Sequence, residues 1–548
     1  MRGLFFIVLF FIGYAHSWSC TNFIVGKDAS VDGSVMVSYS ADSYGCCGIM
    51  QHFPAGKHEK GTKRKVYHWE SNRYLGEIAE APETYNVVGN MNEFQLTIGE
   101  TTFGGRKELV DTTGIIDYGS LIYITLQRAK TAREAIKVMT SLVNEYGYCS
   151  EGESFSICDP NEAWVMEMVG KGPGNKGALW VAVRIPDDCI SGHANQSRIH
   201  KFMQYDKKNC IYSKDVISFA RKKGLYSGKD ADFDFANTYC PLDFFGARAC
   251  EARVWSFYNI WVDGMDKYLD YAMGVNLEAE PMALYYKPKA KLSVHDVETA
   301  MRNQYEGTPM DMTKDPGAGT YISPYRPRPL TWEYKGVKYF NERPVGTQQS
   351  SFTFVSQMRS FLPDCIGGVL WFGNDDSKMV AYTPVYCCAT SVPDCYTKKY
   401  GDDVTFSFKS AFWVCNWVAN MVYPRFSLLY PDLEKKRDEL EKKFFDKQKS
   451  VEDIALKKYK EDKAQAVKYL TTYSRVSAEG MLNQWVNLGK FLIVKYNDFV
   501  VKPEDNGVFF RTVDGIGERV KSVGFPEETR KNIIEQTGDR FRVPTQKK

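Results

Sequence analysis

Cys20 follows a short basic start, the apolar run from Gly3 to Tyr14 and the small-residue site Ser17-Trp18-Ser19. That order is the pattern of a secretory leader and its cleavage point. Cleavage after Ser19 would make Cys20 the first residue, and that position joins two chemical functions. A thiolate is a strong nucleophile, but a free cysteine ionises only near about pH 8.5. A terminal α-amino group titrates at about 7.7–8.0, close enough to neutrality to take the thiol's proton. One residue would then carry both nucleophile and base, with no histidine needed. Only His52, His58, His68, His193, His200 and His295 follow the leader. Two other readings compete for this cysteine. It could be half of a disulfide, or the lipidated first residue of a bacterial lipoprotein; the latter lacks its leucine and small-residue run here.

The composition narrows the class. The 548 residues are 44% hydrophobic and 25% charged, enough apolar material for one large core with an appendage or for two domains. The 70 basic and 67 acidic residues leave a formal charge of +3, so no field steers a nucleic acid. No later stretch reaches the roughly 18 apolar residues a membrane span needs, so a soluble mature protein is expected. Fourteen cysteines suit an oxidising compartment, and the adjacent pairs Cys46-Cys47 and Cys387-Cys388 read as disulfide staples of open connectivity. No C-x-x-C pair or histidine cluster supports zinc, and no metal or organic cofactor is expected.

The elements that must position this chemistry alternate between strand and helix. Thr21 to Val25 and Ser34 to Ser38 are short strand-like runs separated by a turn at Asp32-Gly33. Asn92 to Thr102 and Ala163 to Val169 read the same way. Ser120 to Tyr146 has helical spacing, with Thr131-Ala132-Arg133-Glu134 a capping sequence for its second half. Residues 285–350 are rich in Pro, Gly and Tyr and read as surface loops bordering a cleft, and strand signals return at Gly368 to Phe372 and Ala381 to Pro384. Near Pro431 the composition shifts to dense charge with apolar residues at helical spacing, as in long helices that wrap the core or form a dimer contact.

At Cys20-Thr21-Asn22-Phe23-Ile24-Val25-Gly26 the chain resembles the opening of the secreted or periplasmic dipeptidases of the N-terminal-nucleophile (Ntn) hydrolases, relatives of the secernins. Further matches follow in order: Gly99 to Gly105 (GETTFGG), Glu151 to Phe155, Glu162 to Glu167, His193 to Ile199 (HANQSRI), Gly246-Ala247-Arg248, Glu251 to Trp255 and Val369-Leu370-Trp371. The resemblance spans residues 20–400, with the helical tail more loosely included. It implies an α+β fold, the four-layer αββα sandwich of Ntn hydrolases with a helical C-terminal extension. The expected division is a signal peptide at 1–19, a catalytic domain at 20–430 and a helical region at 431–548 packed on it.

The resemblance also implies site residues. Asp42 would contact the α-amino group of Cys20; read without the family it is a turn aspartate. Asn195 would donate to an oxyanion or accept from the amine, whereas Asn195-Gln196-Ser197 is also a glycosylation sequon, and the two readings exclude each other. Arg253 would approach the sulfur, or else pair with Glu251 on the surface. Thr102 would help an oxyanion hole, though threonine is also a good strand residue. The chain departs from the pattern at Tyr39, where similar dipeptidases often carry an arginine, and a phenol supplies no permanent cation. The reading is a cysteine-dependent dipeptidase acting on small peptides through a thioester, in a secreted, periplasmic or lysosome-like setting. An N-acyl amidase of the same fold and a binding protein that has lost catalysis stand as alternatives.

Overall fold

The structure, a computed structural model, describes residues 20–515, 517 and 520–545. The expected leader, residues 1–19, lies outside the described residues. Ten strands carry the site: β1 (Asn22–Val25), β2 (Val35–Asp42), β3 (Thr97–Gly104), β4 (Gly152–Cys158), β5 (Ala163–Gly170), β6 (Ala178–Ile185), β7 (Ile190–His193), β8 (Ser350–Met358), β9 (Val369–Asn374) and β10 (Thr383–Tyr386). One antiparallel sheet runs β7-β1-β2-β8-β9-β10, with Tyr285–Tyr286 along its β7 edge. The other runs β6-β5-β4-β3, with Cys210–Tyr212 beyond β6 and three short strands beyond β3.

Strand alternation sorts the side chains between layers. On β1, Ile24 points to one side and Phe23 and Val25 to the other; on β2, Val35, Val37, Tyr39 and Ala41 oppose Met36. The first side joins Val165 and Val169 of β5 and Val181 and Val183 of β6 in a core between the two sheets. The second side packs on α3 (Ala252–Trp261), α4 (Val294–Met301) and α6 (Phe426–Glu461). The outer face of the second sheet, with Ile98, Phe155, Ile157 and Trp164, is covered by α1 (Tyr118–Leu126) and α2 (Ala132–Tyr146). The fold is mixed α+β, as expected, with helices outside two stacked sheets.

Two expected elements begin or break elsewhere. The helix expected over 120–146 is two helices, because Asn92 takes the carbonyls of Leu126 and Ala129 and Thr131 caps the N–H of Glu134. The strand expected from Asn92 starts only at Thr97: the Asn92 carboxamide accepts from Phe94 and Leu96 across a turn in which Gln95 has φ of 64°.

The C-terminal helices share the core instead of forming one of their own. With α5 (Ala411–Val422) and α7 (Lys463–Tyr496), α6 places Leu429, Leu433 and Trp485 in the inter-sheet core and Phe444, Val451, Ala455 and Leu470 in the outer one. Helix α6 starts five residues before Pro431 and runs through it. Beyond Tyr496, among the described residues, the helical expectation is met by Glu527–Thr537 and by short 3-10 turns at Asn497–Phe499 and Gly538–Phe541. Between Phe499 and Glu527, Asn506 and Gly507 both take positive φ and turn a hairpin joining Glu504–Asp505 to Val508–Phe509. All fourteen cysteines are free thiols, so the expected staples at Cys46-Cys47 and Cys387-Cys388 are not present; the Cys387 thiol donates to the Asp364 carbonyl instead.

Candidate active site

Cys20 stands just ahead of β1, where Thr21 bridges Ser40 of β2, and it is fully buried. Its main chain is held from α3. Arg253, itself fully buried, donates to the Cys20 carbonyl at 2.7 Å, Thr21 Oγ1 at 2.8 Å, Asn195 Oδ1 at 2.9 Å, and the carbonyls of Ala194 and Ala249 at 3.0 and 2.6 Å. These use all five guanidinium donors. A π-helical turn, Gly246–Glu251, leads into α3 and puts Arg253 in register. A Cβ at Gly246 would meet Gln196 Oε1 at 2.4 Å, so a larger residue in this turn would have to displace the Gln196 side chain beside Asn195.

The sulfur faces acids and phenols. Cys20 Sγ lies 3.6 Å from Tyr39 Oη and 3.6 Å from Glu100 Oε1, and Tyr39 donates to that carboxylate oxygen at 2.7 Å. Burial pushes the thiol well above its ordinary range, and the charges of Glu100 and Asp42 add to the effect. Hydrogen bonds from the Asp42 main chain and Tyr39 act in the opposite sense without offsetting it. The thiol therefore stays protonated until a base takes its proton. Glu100 is pushed up to about 7, chiefly by burial. Glu153 is held well above the carboxylate range by burial and then by Glu100, which it faces.

The residues singled out from sequence fall as follows. Asp42 is buried, paired with Arg343 and accepting from Ser350 Oγ at 2.5 Å and Ser40 Oγ at 3.2 Å. Asn195 has φ of 64°, donates to the Thr102 carbonyl at 2.7 Å and accepts from Arg253, so its amide is turned inward. The Thr102 hydroxyl donates to Glu153 Oε1 at 2.6 Å, and what it offers toward Asn195 is its carbonyl. Arg253 meets the carbonyl of Cys20, and Glu251 pairs with Arg198 in its place. His193 bridges the sheets, bonded to Thr101 Oγ1 and Ser156 Oγ at 2.7 Å each, and burial lowers its pKa to about 3.

Sequence reasoning missed the acidic side of the site. Glu100 and Glu153 stand inside the matched segments GETTFGG and Glu151 to Phe155 but were not singled out, and Tyr39 was noted only as a departure. Tyr39 and Glu100 form part of the wall of a cavity of about 790 Å³ that is also lined by Glu70, Trp69, Tyr118 and Phe352. No residue of 285–350 lines it, although Arg343 from that segment reaches Asp42. Among the described residues one trio has donor atoms close enough to share a metal ion, His295, Glu298 and Glu441, all within 4.8 Å. It lies between α4 and α6, away from Cys20.

The profile of peptidase family C69 matches residues 19–439. The chain belongs to peptidase family C69. A probable dipeptidase of Salmonella dublin is 26% identical over 394 residues, covering 68% of this chain and 82% of that protein. One of Latilactobacillus sakei is 25% identical, covering 74% and 81%, and probable dipeptidase A of Streptococcus pyogenes serotype M18 is 23% identical, covering 76% and 84%. The C69 match begins at the residue before Cys20 and includes Tyr39, Asp42, Glu100, Asn195 and Arg253. It ends at residue 439, inside α6, so only residues 426–439 of that 36-residue helix belong to the family region.

Proposed function

We propose that this C69 peptidase is a dipeptidase of the Ntn type, using Cys20 as nucleophile and, once residues 1–19 are removed, its own α-amine as base. The observation that carries this reading is the hold of Arg253 on the Cys20 carbonyl. It fixes the main chain of the one thiol that stands at the head of a central strand and at a possible mature terminus, beside a cavity of substrate size. The protonated state of the buried thiol fits a nucleophile that fires only when a neighbouring base is present.

In this mechanism the neutral amine takes the thiol proton, directly or through one water. Sulfur attacks the scissile carbonyl, and the oxyanion is stabilised by backbone N–H groups beside the loop that Asn195 and Arg253 hold in place. The ammonium protonates the departing amine and the carbon–nitrogen bond breaks, leaving a thioester. Water then adds with the same amine as base, and the thiol is restored. Asp42, tied to Arg343 and Ser350, supplies negative charge that favours the ammonium form. A leader at 1–19 implies export or delivery to a lumen.

The intact mass and N-terminal peptide of the natural protein test the first requirement: a chain starting at unmodified Cys20. Cys20→Ala should then lower dipeptide turnover by on the order of 10⁴-fold or more. A blocked or differently placed terminus, or a Cys20→Ala protein at full rate, would overturn the reading.

A further inference from the structure

A carboxylate beside a cysteine nucleophile is a liability for thiolate formation, because its charge opposes the developing negative sulfur. Here Glu100 is 3% exposed, its Oε1 is 3.6 Å from the sulfur, and burial, with the charge of Glu70, raises the cost of keeping it charged. The surroundings nevertheless hold one charge in place. Tyr39 donates to Glu100 Oε1 at 2.7 Å, and Thr102 donates to Glu153 Oε1 at 2.6 Å. The second oxygens of Glu100 and Glu153 have no other hydrogen-bond partner, and the two carboxyls face one another. A proton kept on Glu153 therefore leaves the charge on Glu100, at the wall of the cavity.

We propose that Glu100, with Glu153 behind it, binds the α-ammonium of the substrate's first residue and so restricts this peptidase to substrates with a free amino terminus. The inference rests on Cys20 being the nucleophile. Its geometry follows from bond lengths. The α-nitrogen of a residue lies two bonds, about 2.5 Å, from its own carbonyl carbon. Once sulfur joins that carbon, the nitrogen is within about 4 Å of the sulfur, the same neighbourhood in which Glu100 Oε1 already lies at 3.6 Å. An ammonium there replaces the thiol hydrogen as donor to Oε1. It also cancels the charge that opposes thiolate formation, so the correct substrate lowers the barrier that the empty site raises. An N-acyl substrate brings no cation, leaves the carboxylate buried without its counter-charge, and sets an acyl group against it.

The test compares alanyl-alanine with N-propanoyl-alanine, which lacks only the amine, and with N-acetyl-alanyl-alanine. The wild type should cut alanyl-alanine with kcat/KM about 10- to 100-fold above either neutral compound, the scale of a charge-assisted hydrogen bond. In Glu100→Gln the alanyl-alanine value should fall until the ratio is within a few-fold of unity. The thermal unfolding midpoint of that variant should stay within a few degrees of the wild type, which checks that it folds. Equal turnover of amine and neutral substrates by the wild type, abolished for all of them in Cys20→Ala, would overturn the ammonium site while leaving the nucleophile standing. That wild-type comparison decides the question even if Glu100→Gln does not fold. Absence of any thiol-dependent turnover in a chain with a free Cys20 terminus would overturn both.

Discussion

Arg253 donates to the main-chain carbonyl of Cys20 at 2.7 Å while its other amino group holds the carboxamide of Asn195 at 2.9 Å. One guanidinium thus sets the distance between Cys20 and the loop carrying Asn195. Arg253→Lys keeps the charge but cannot reach five acceptors in a planar fork. The expected result is a kcat at least about 100-fold lower with KM within a few-fold, the signature of a misplaced nucleophile. A change confined to thermal stability, with kcat intact, would assign Arg253 to folding alone.

Tyr39 controls the acid beside the thiol. Its hydroxyl stabilises the Glu100 carboxylate, so Tyr39→Phe should raise the pKa of Glu100 above its value of about 7. The other groups facing Glu100 are Cys20, Glu153, Glu70 and Tyr118, and none is altered by the change. The measurement is the ratio of kcat/KM for alanyl-alanine over N-propanoyl-alanine across pH, from which titration of the shared Cys20 amine cancels. That ratio should rise with pH through about 7 in the wild type and fall again as the α-ammonium of alanyl-alanine loses its proton near about 8, and in the variant the rising limb should move to higher pH.

His193 links acid sensitivity to the packing of the two sheets. The unfolded imidazole takes a proton near about 6.5, whereas the buried ring, beside Arg198 and bonded to Thr101 and Ser156, takes one only near about 3. Between these values the unfolded chain binds more protons, so this residue lowers stability as pH falls, by about 1.4 kcal/mol per unit below about 6.5. Buried carboxyls with raised pKa, such as Glu100, act in the opposite direction. The contribution is therefore read as the difference between wild type and His193→Gln in urea unfolding at pH 7, 6 and 5. The wild type should lose ground to the variant at each step.

Trp485 ties the C-terminal helices to the catalytic core. It is fully buried, and its indole N–H donates to the Met379 carbonyl at 3.2 Å. Trp485→Ala should cost about 3–5 kcal/mol. Because α6 and α7 fill both cores, thermal unfolding should remain one transition, and a chain ending at residue 430 should fail to yield soluble enzyme.

The readable parts of the site were those written in consecutive residues. The leader-like apolar run, the small-residue site and Cys20 stand together in the sequence, so the proposed nucleophile was legible without a fold. The alternation at β1 and β2 was equally local. Glu100 was hidden because its partner Tyr39 lies on the other sheet, and only the stacking of the two sheets brings them together. Arg253 was expected at the sulfur and lies at the carbonyl, a difference of a few ångströms that no spacing rule reports. The break between α1 and α2 depends on Asn92, a residue outside both helices, which takes carbonyls a continuous helix would have used itself.

The place of β1 has a consequence for how the molecule is made. The strand behind Cys20 leaves the ribosome first, but its partner β7 follows only after all four strands β3 to β6 have been synthesised. Its other neighbour, β2, must itself wait for β8, and α7 follows near the end of the chain. Such long-range pairing is slow to form and arrives as a unit late in folding. A nascent or truncated chain therefore holds its cysteine as an ordinary exposed thiol, without Arg253 behind its carbonyl or Glu100 beside its sulfur. Under the proposed mechanism, the order in which the strands are translated delays assembly of the Cys20 site until the late strands have paired.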